Sequence, residues 1–133
     1  MNRNRKFAIL IFCLAGLAAS SPVLAQASGV RRAVVEKADV SVPNREAVVA
    51  RVEVDPGMLA GRHTHPGDEI AYVLEGEAEL IVDGEPVRNL KAGDAYIVAA
   101  GKVHDARNTG SVVLKLVGVY VVEKGKPMAS PAK

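Results

Sequence analysis

Cysteine occurs once in the 133 residues, as Cys13, inside an apolar run near the amino terminus. One thiol closes no internal disulfide and supplies no paired cysteines for a zinc finger or a redox couple. A P-loop and the glycine fingerprint of dinucleotide binding are also missing. No segment keeps an i, i+3, i+4 apolar pattern beyond a turn or two, which excludes long amphipathic helices. No self-similarity at solenoid spacing occurs. Ser28, Ser41 and Ser111 lie in polar or turn contexts without a nucleophile's setting. Histidine is scarce as well, with only His63, His65 and His104.

The chain opens "MNRNRKFAILIFCLAGLAASSPVLAQA". Arg3, Arg5 and Lys6 make a positive start, residues 7–19 an apolar run, and Val23-Leu24-Ala25 a small-residue exit. That order is the pattern of a secretory signal peptide over residues 1–25, cut after Ala25 or Ala27. The apolar run is short for a membrane span of about 20 residues. Asn4 splits the two arginines, which favours the general export route over the twin-arginine one. Cleavage would remove Cys13 and three of the 17 basic residues, leaving 14 against 15 acidic ones, a net charge of −1. The sequence pI of about 8.8 therefore belongs largely to the leader. Neither nucleic acid nor, after cleavage, a membrane is expected as a partner.

Residues 28–47 are polar and read as an N-terminal arm with one short strand at most; Arg31 and Arg32 read as solvated charges. From Val48 the pattern changes. Val48, Ala50, Val52 and Val54 alternate with Arg51, Glu53 and Asp55, the period of a half-buried strand. "EIAYVLEG" and "EAELIVDGE" are further β-rich runs, the second closed by the hairpin signal Asp83-Gly84. Another strand is expected between Gly93 and Gly101, and "SVVLKLVGVYVVE" reads as one long strand or two. Short strands separated by turn signals indicate an all-β fold, a single antiparallel barrel or jelly roll over 48–123. The two-proline tail, 124–133, is expected to be mobile.

His63 and His65 stand two apart in extended chain, so both can face one side, about 6.6–6.8 Å apart. Pro66-Gly67 turns the chain and brings Glu69 back at the head of the next strand. His104, at the end of a later strand, is placed to join them in a barrel. Three imidazoles and a carboxylate suit Fe, Mn, Ni, Cu or Zn better than Ca or Mg. Placed singly in an apolar interior, these groups would be costly to bury.

Gly57, His63, His65, Glu69 and Gly76 resemble, interval for interval, the first motif of the cupin superfamily. Gly93, Gly101, His104 and Asn108 are similar to its second motif, with Ala99 where that family usually has proline. The motifs cover 57–108. The resemblance implies a small β-barrel holding one divalent transition metal on His63, His65, Glu69 and His104, with two positions left for a ligand. It also implies either a metal-dependent enzyme on a small oxygen-rich molecule (dioxygenase-, lyase- or isomerase-type) or a periplasmic module that binds a small molecule or the metal itself without turnover. In the first case Glu69 doubles as a catalytic base.

Ala71 and Val73 share the face of Glu69. Tyr96 is expected in the core, and Tyr72 to point away from the metal into the space between the sheets. Arg62 should face solvent or a subunit contact, and Asn108 should serve a turn. Val113, Val117, Val119 and Val121 place apolar surface on the outer side of the last strand, from which a homodimer is expected.

Overall fold

The computed structural model describes residues 29–133; the expected signal peptide and both cleavage points lie outside the described residues. No helix occurs among the described residues, and ten strands carry the fold. They are β1 (Val30–Asp39), β2 (Arg45–Val54), β3 (His63–Thr64), β4 (Gly67–Glu75) and β5 (Glu77–Val82). β6 (Arg88–Lys91), β7 (Ala95–Val98), β8 (His104–Asn108), β9 (Leu114–Glu123) and β10 (Ser130–Pro131) complete the set. Two five-stranded sheets form, ordered β1-β2-β9-β4-β7 and β10-β3-β8-β5-β6, with every pairing antiparallel.

The core lies between the sheets because alternate residues of each strand turn inward. Val52, Val54, Ala71, Val73, Leu114 and Leu116 come from the first sheet, and Ala78, Leu80 and Val82 from the second. β9 is a single ten-residue strand that buries every second residue. Gly118 does not interrupt it. A Cβ there would lie 2.6 Å from the Tyr120 hydroxyl, so the missing side chain makes room for that ring inside the sandwich.

Three expectations are corrected. The polar arm, 28–47, is largely ladder: β1 pairs with β2 from Val30↔Val54 to Asp39↔Glu46, with a bulge between Val34 and Glu36. Arg31 pairs with Glu53 and Asp55, and Lys37 with Glu46. An edge strand held by main-chain bonds and charge pairs needs no alternating apolar residues, so it carried no periodic signal.

The tail is not a free end either. Ser130 and Pro131 pair with Thr64 and His63, and Ala132 donates its N–H to the Arg62 carbonyl at 3.0 Å. A two-residue strand is too short to show a period, and proline is tolerated because this strand is a sheet edge.

Tyr72 turns away from the metal-ligand face but does not fill the core. It is 50% exposed on the outer side of β4. The inter-sheet face is the one that carries Glu69, Ala71 and Val73, so the opposite parity meets solvent.

Candidate metal centre

The four expected ligands converge from both sheets. His63 and His104 are direct partners on β3 and β8. His65 sits at the corner between β3 and β4, and Glu69 lies on β4 in the facing sheet. One ligand atom from each of the four lies within 4.8 Å of the others. Three of the side chains, His65, Glu69 and His104, are buried at 5% exposure or less.

The far side of each imidazole is tied to the main chain. His63 Nδ1 lies 2.5 Å from the Gly61 carbonyl, His65 Nδ1 2.6 Å from that of Met128, and His104 Nδ1 3.0 Å from that of Lys102. A carbonyl only accepts, so each Nδ1 carries the proton and each Nε2 turns inward. This is the tautomer that metal-binding histidines adopt.

The inner side is crowded with acceptors. His104 Nε2 lies 2.8 Å from Glu69 Oε2, and His65 Nε2 lies 3.3 Å from the same oxygen. His65 Nε2 is buried and has no hydrogen-bond partner among the described residues. Bare ring nitrogens facing a carboxylate at these distances need a cation between them, either a proton or a metal ion. The donor set of three neutral nitrogens and one oxygen fits one divalent transition ion.

The electrostatics agree with a cation-seeking cluster. Burial pushes the His63 pKa down to about 4, against its Gly61 bond, so this ring stays neutral at ordinary pH. Burial alone would raise the Glu69 pKa, but the contacts of its carboxylate with His104 and His65 outweigh it and hold the carboxyl well below its usual range. The same contact with Glu69 overcomes burial at His104 and raises its pKa.

Tyr96 is buried, as expected of a core residue, yet its hydroxyl donates to Glu69 Oε1 at 3.1 Å. Its ring is core and its hydroxyl belongs to the site. Ala71 and Val73 are buried on the Glu69 face. Arg62 faces solvent, pairing with both oxygens of Asp83 at 2.9 and 2.7 Å. Asn108 ties turns together, donating to the Val54 and Val112 carbonyls and accepting from Gly110 N–H.

Several site residues escaped the sequence reading. Tyr120 stands opposite Glu69 in the ladder, its ring 4.6 Å from that of His65. Asp105 is buried and accepts from Gly61 N–H at 2.9 Å, fixing the loop that leads to His63. Arg32, read as a solvated charge, lines the cavity beside His63, Glu69, Tyr96, His104 and Tyr120. Its β1 position is opposite Val52, an inward-facing residue. None of the three has a local motif. The parity of β1 relative to β2 would have flagged Arg32, had β1 been recognised as a strand.

A two-sheet β-sandwich with a His-His-Glu-His cluster inside defines a class of barrel proteins with a candidate metal centre. The comparisons narrow it further. The family model described as "Cupin domain" matches residues 50–122, and the chain belongs to that family. The chain is 35% identical over 80 residues to the "Oxalate-binding protein" of Thermotoga maritima, covering 59% of this chain and 65% of that one. It is also 35% identical over 66 residues to a dimethylsulfoniopropionate lyase of Ruegeria pomeroyi, covering 50% of this chain and 33% of that one. The chain thus spans between a third and two thirds of the length of these relatives. Among solved structures, a Klebsiella pneumoniae protein with a double-stranded β-helix domain superposes with a TM-score of 0.66. The two are 30% identical over 80% of this chain and 86% of that one.

Proposed function

We propose that the chain is an exported metal-dependent enzyme acting on a small oxygen-rich molecule by dioxygenase-, lyase- or isomerase-type chemistry. The carrying observation is the cluster itself: three imidazoles locked with Nε2 inward around one buried carboxylate. His63, His65, Glu69 and His104 would hold one ion of Fe, Mn, Ni, Cu or Zn. Such an ion supplies Lewis acidity to oxygen atoms bound beside it.

The chain's own residues supply the rest. Among the described residues Glu69 is the sole acid lining the cavity, and it is the group available to take a proton from a bound substrate. Tyr96 holds Oε1 of that carboxylate, leaving Oε2 toward the histidines. Burial and the Glu69 charge push the Tyr96 pKa up, so it stays a hydrogen-bond donor across the physiological range. The apolar walls, Val52, Val54 and Leu116, limit water. Export rests on the leader pattern of residues 1–25.

Elemental analysis of the purified protein is expected to show about one transition metal per chain. His63→Ala and His104→Ala are each expected to lose it while the far-ultraviolet circular dichroism spectrum of a β-sandwich persists. Absence of metal from the wild type sinks the reading. The tight cavity, with a free volume of about 20 Å3, also favours a second reading, a non-enzymatic module that captures a small ligand or the metal itself. Metal-loaded protein that binds small carboxylates or diols but converts none of them under air would establish the second over the first. In either reading the outer face of the first sheet is proposed to form a homodimer.

A further inference from the structure

The segment that leads into β3 runs along β8 in two registers. Leu59 is opposite Arg107, and Ala60 donates its N–H to the Ala106 carbonyl at 2.8 Å. Four residues on from Leu59, His63 is opposite His104, which is only three residues back from Arg107. One extra residue is therefore taken up between Ala60 and His63, a β-bulge that faces Asp105. Gly61 lies in it with φ +95°, a conformation that side-chain-bearing residues rarely adopt. A Cβ there would meet nothing within 4 Å among the described residues, so glycine supplies backbone freedom at this point rather than room.

The bulge decides which side chain enters the site. Residues directly opposite each other in an antiparallel pair share a face. A slip of one residue turns every side chain over. Continued unbroken, the register of Leu59 would set Arg62 against His104 and turn His63 outward. With the bulge, His63 shares the cavity side with His104, and Arg62 lies outside against Asp83.

Asp105 grips this bulge. It is 4% exposed and is not one of the four candidate ligands. Its Oδ1 accepts from the Gly61 N–H at 2.9 Å and from the Ala106 N–H at 2.8 Å. The Gly61 carbonyl in turn accepts from His63 Nδ1 at 2.5 Å. Gly61 thus passes the hold of the carboxylate on to the imidazole. β8 presents His104 directly and reaches His63 through the very next residue.

We infer that Asp105 is a positioning residue of the metal centre: by pinning Gly61 in the bulge it aims the Gly61 carbonyl at His63 Nδ1 and keeps Nε2 of that ring turned toward the other ligands. This deepens the proposed function and rests on the metal reading.

The experiment compares the full chain as wild type, Asp105→Ala and Asp105→Asn. Nitrogen NMR of the metal-free proteins reads the tautomer of each histidine, and competition with a chelator reads Co(II) affinity. In the wild type all three rings are expected to carry their proton on Nδ1. Asp105→Ala is expected to lose that preference at His63 alone, because the Met128 and Lys102 carbonyls still hold His65 and His104. Its Co(II) affinity should fall about 10- to 100-fold. Asp105→Asn keeps an oxygen for Gly61 and should stay near the wild type on both readouts. Asp105→Ala that keeps either the His63 tautomer or the wild-type affinity overturns the role and leaves the metal reading standing. An equal change at all three rings overturns it too, since that marks a general disturbance of the site. So does Asp105→Asn as weak as Asp105→Ala, which would make charge, not the bond to Gly61, the cause. If Asp105→Ala does not fold, the Gly61 amide of the wild type decides. Hydrogen exchange there as slow as at the paired β8 amides supports the pin, and exchange at the rate of an open loop overturns it. Wild-type protein that holds no metal overturns both readings.

Discussion

Asn108 has no exposed surface, and its side chain serves three main-chain groups at 2.8–2.9 Å. It joins the end of β2, through Val54, to the turn that leads into β9, through Val112 and Gly110. Asn108→Ala strands two carbonyls and one N–H, the Val54 carbonyl in the buried interior and the other two groups at its margin, and an unpaired buried group costs about 1–3 kcal/mol. A loss of roughly 3 kcal/mol or more in denaturant unfolding is the expected outcome, with metal content at low temperature unchanged. A loss under about 1 kcal/mol would mean that water replaces the amide and that its role is minor. At this scale much of the site was legible. His63, His65 and Glu69 lie within seven residues, so their spacing and the Pro66-Gly67 turn sufficed to group them. Arg32 and Tyr120 were not legible. They reach the cavity only through long-range register, Arg32 opposite Val52 and Tyr120 opposite Glu69.

Elements position the candidate ligands as much as residues do. β10 pairs with β3, the strand that carries His63, and the approach to β10 presents the Met128 carbonyl to His65 Nδ1 at 2.6 Å. The Met128 side chain packs on Val48, Ala50, Tyr120 and Val122, which pins that carbonyl in place. Losing the partner of a ligating histidine costs typically about 10- to 100-fold in metal affinity. Deletion of residues 127–133 is therefore expected to weaken metal binding by about that factor in competition with a chelator, while the two sheets stay folded. Ala132→Pro, which removes one N–H bonded to the Arg62 carbonyl, should weaken it less. Full affinity in the deletion variant would show that His65 needs no main-chain partner. The strands β2, β4, β5 and β9 were legible because each buries alternate residues. β1 and β10 were not, because both are edges whose stability lies in ladder bonds and ion pairs that leave no periodic trace.

At the scale of the whole molecule, the outer face of the first sheet remains to be accounted for. Val49, Val119, Ile70 and Ile97 form one row across β2, β9, β4 and β7. Val117 and Tyr72 lie in the next, so the outer apolar surface expected from β9 extends over its neighbours. Ile97 is 68% exposed and Tyr72 50%. An apolar patch of this kind on one sheet face marks an interaction surface. The charges around it point to a second copy. Arg51 follows Val49 on β2, and Asp68 precedes Ile70 on β4, so the two stand at opposite corners with Val119 midway between them. A two-fold axis lying in the interface, passing Val119 and crossing that diagonal at right angles, sets Arg51 of each copy against Asp68 of the other. Two-fold contacts between like surfaces require this kind of self-complementarity. Sedimentation should therefore show a dimer. Arg51→Asp and Asp68→Arg should each shift it toward monomer, because like charges then meet across the axis. Combining them restores opposite charges at both corners and should restore the dimer. A wild-type monomer at high protein concentration would sink the interface. A dimer indifferent to all three variants would place it on another face.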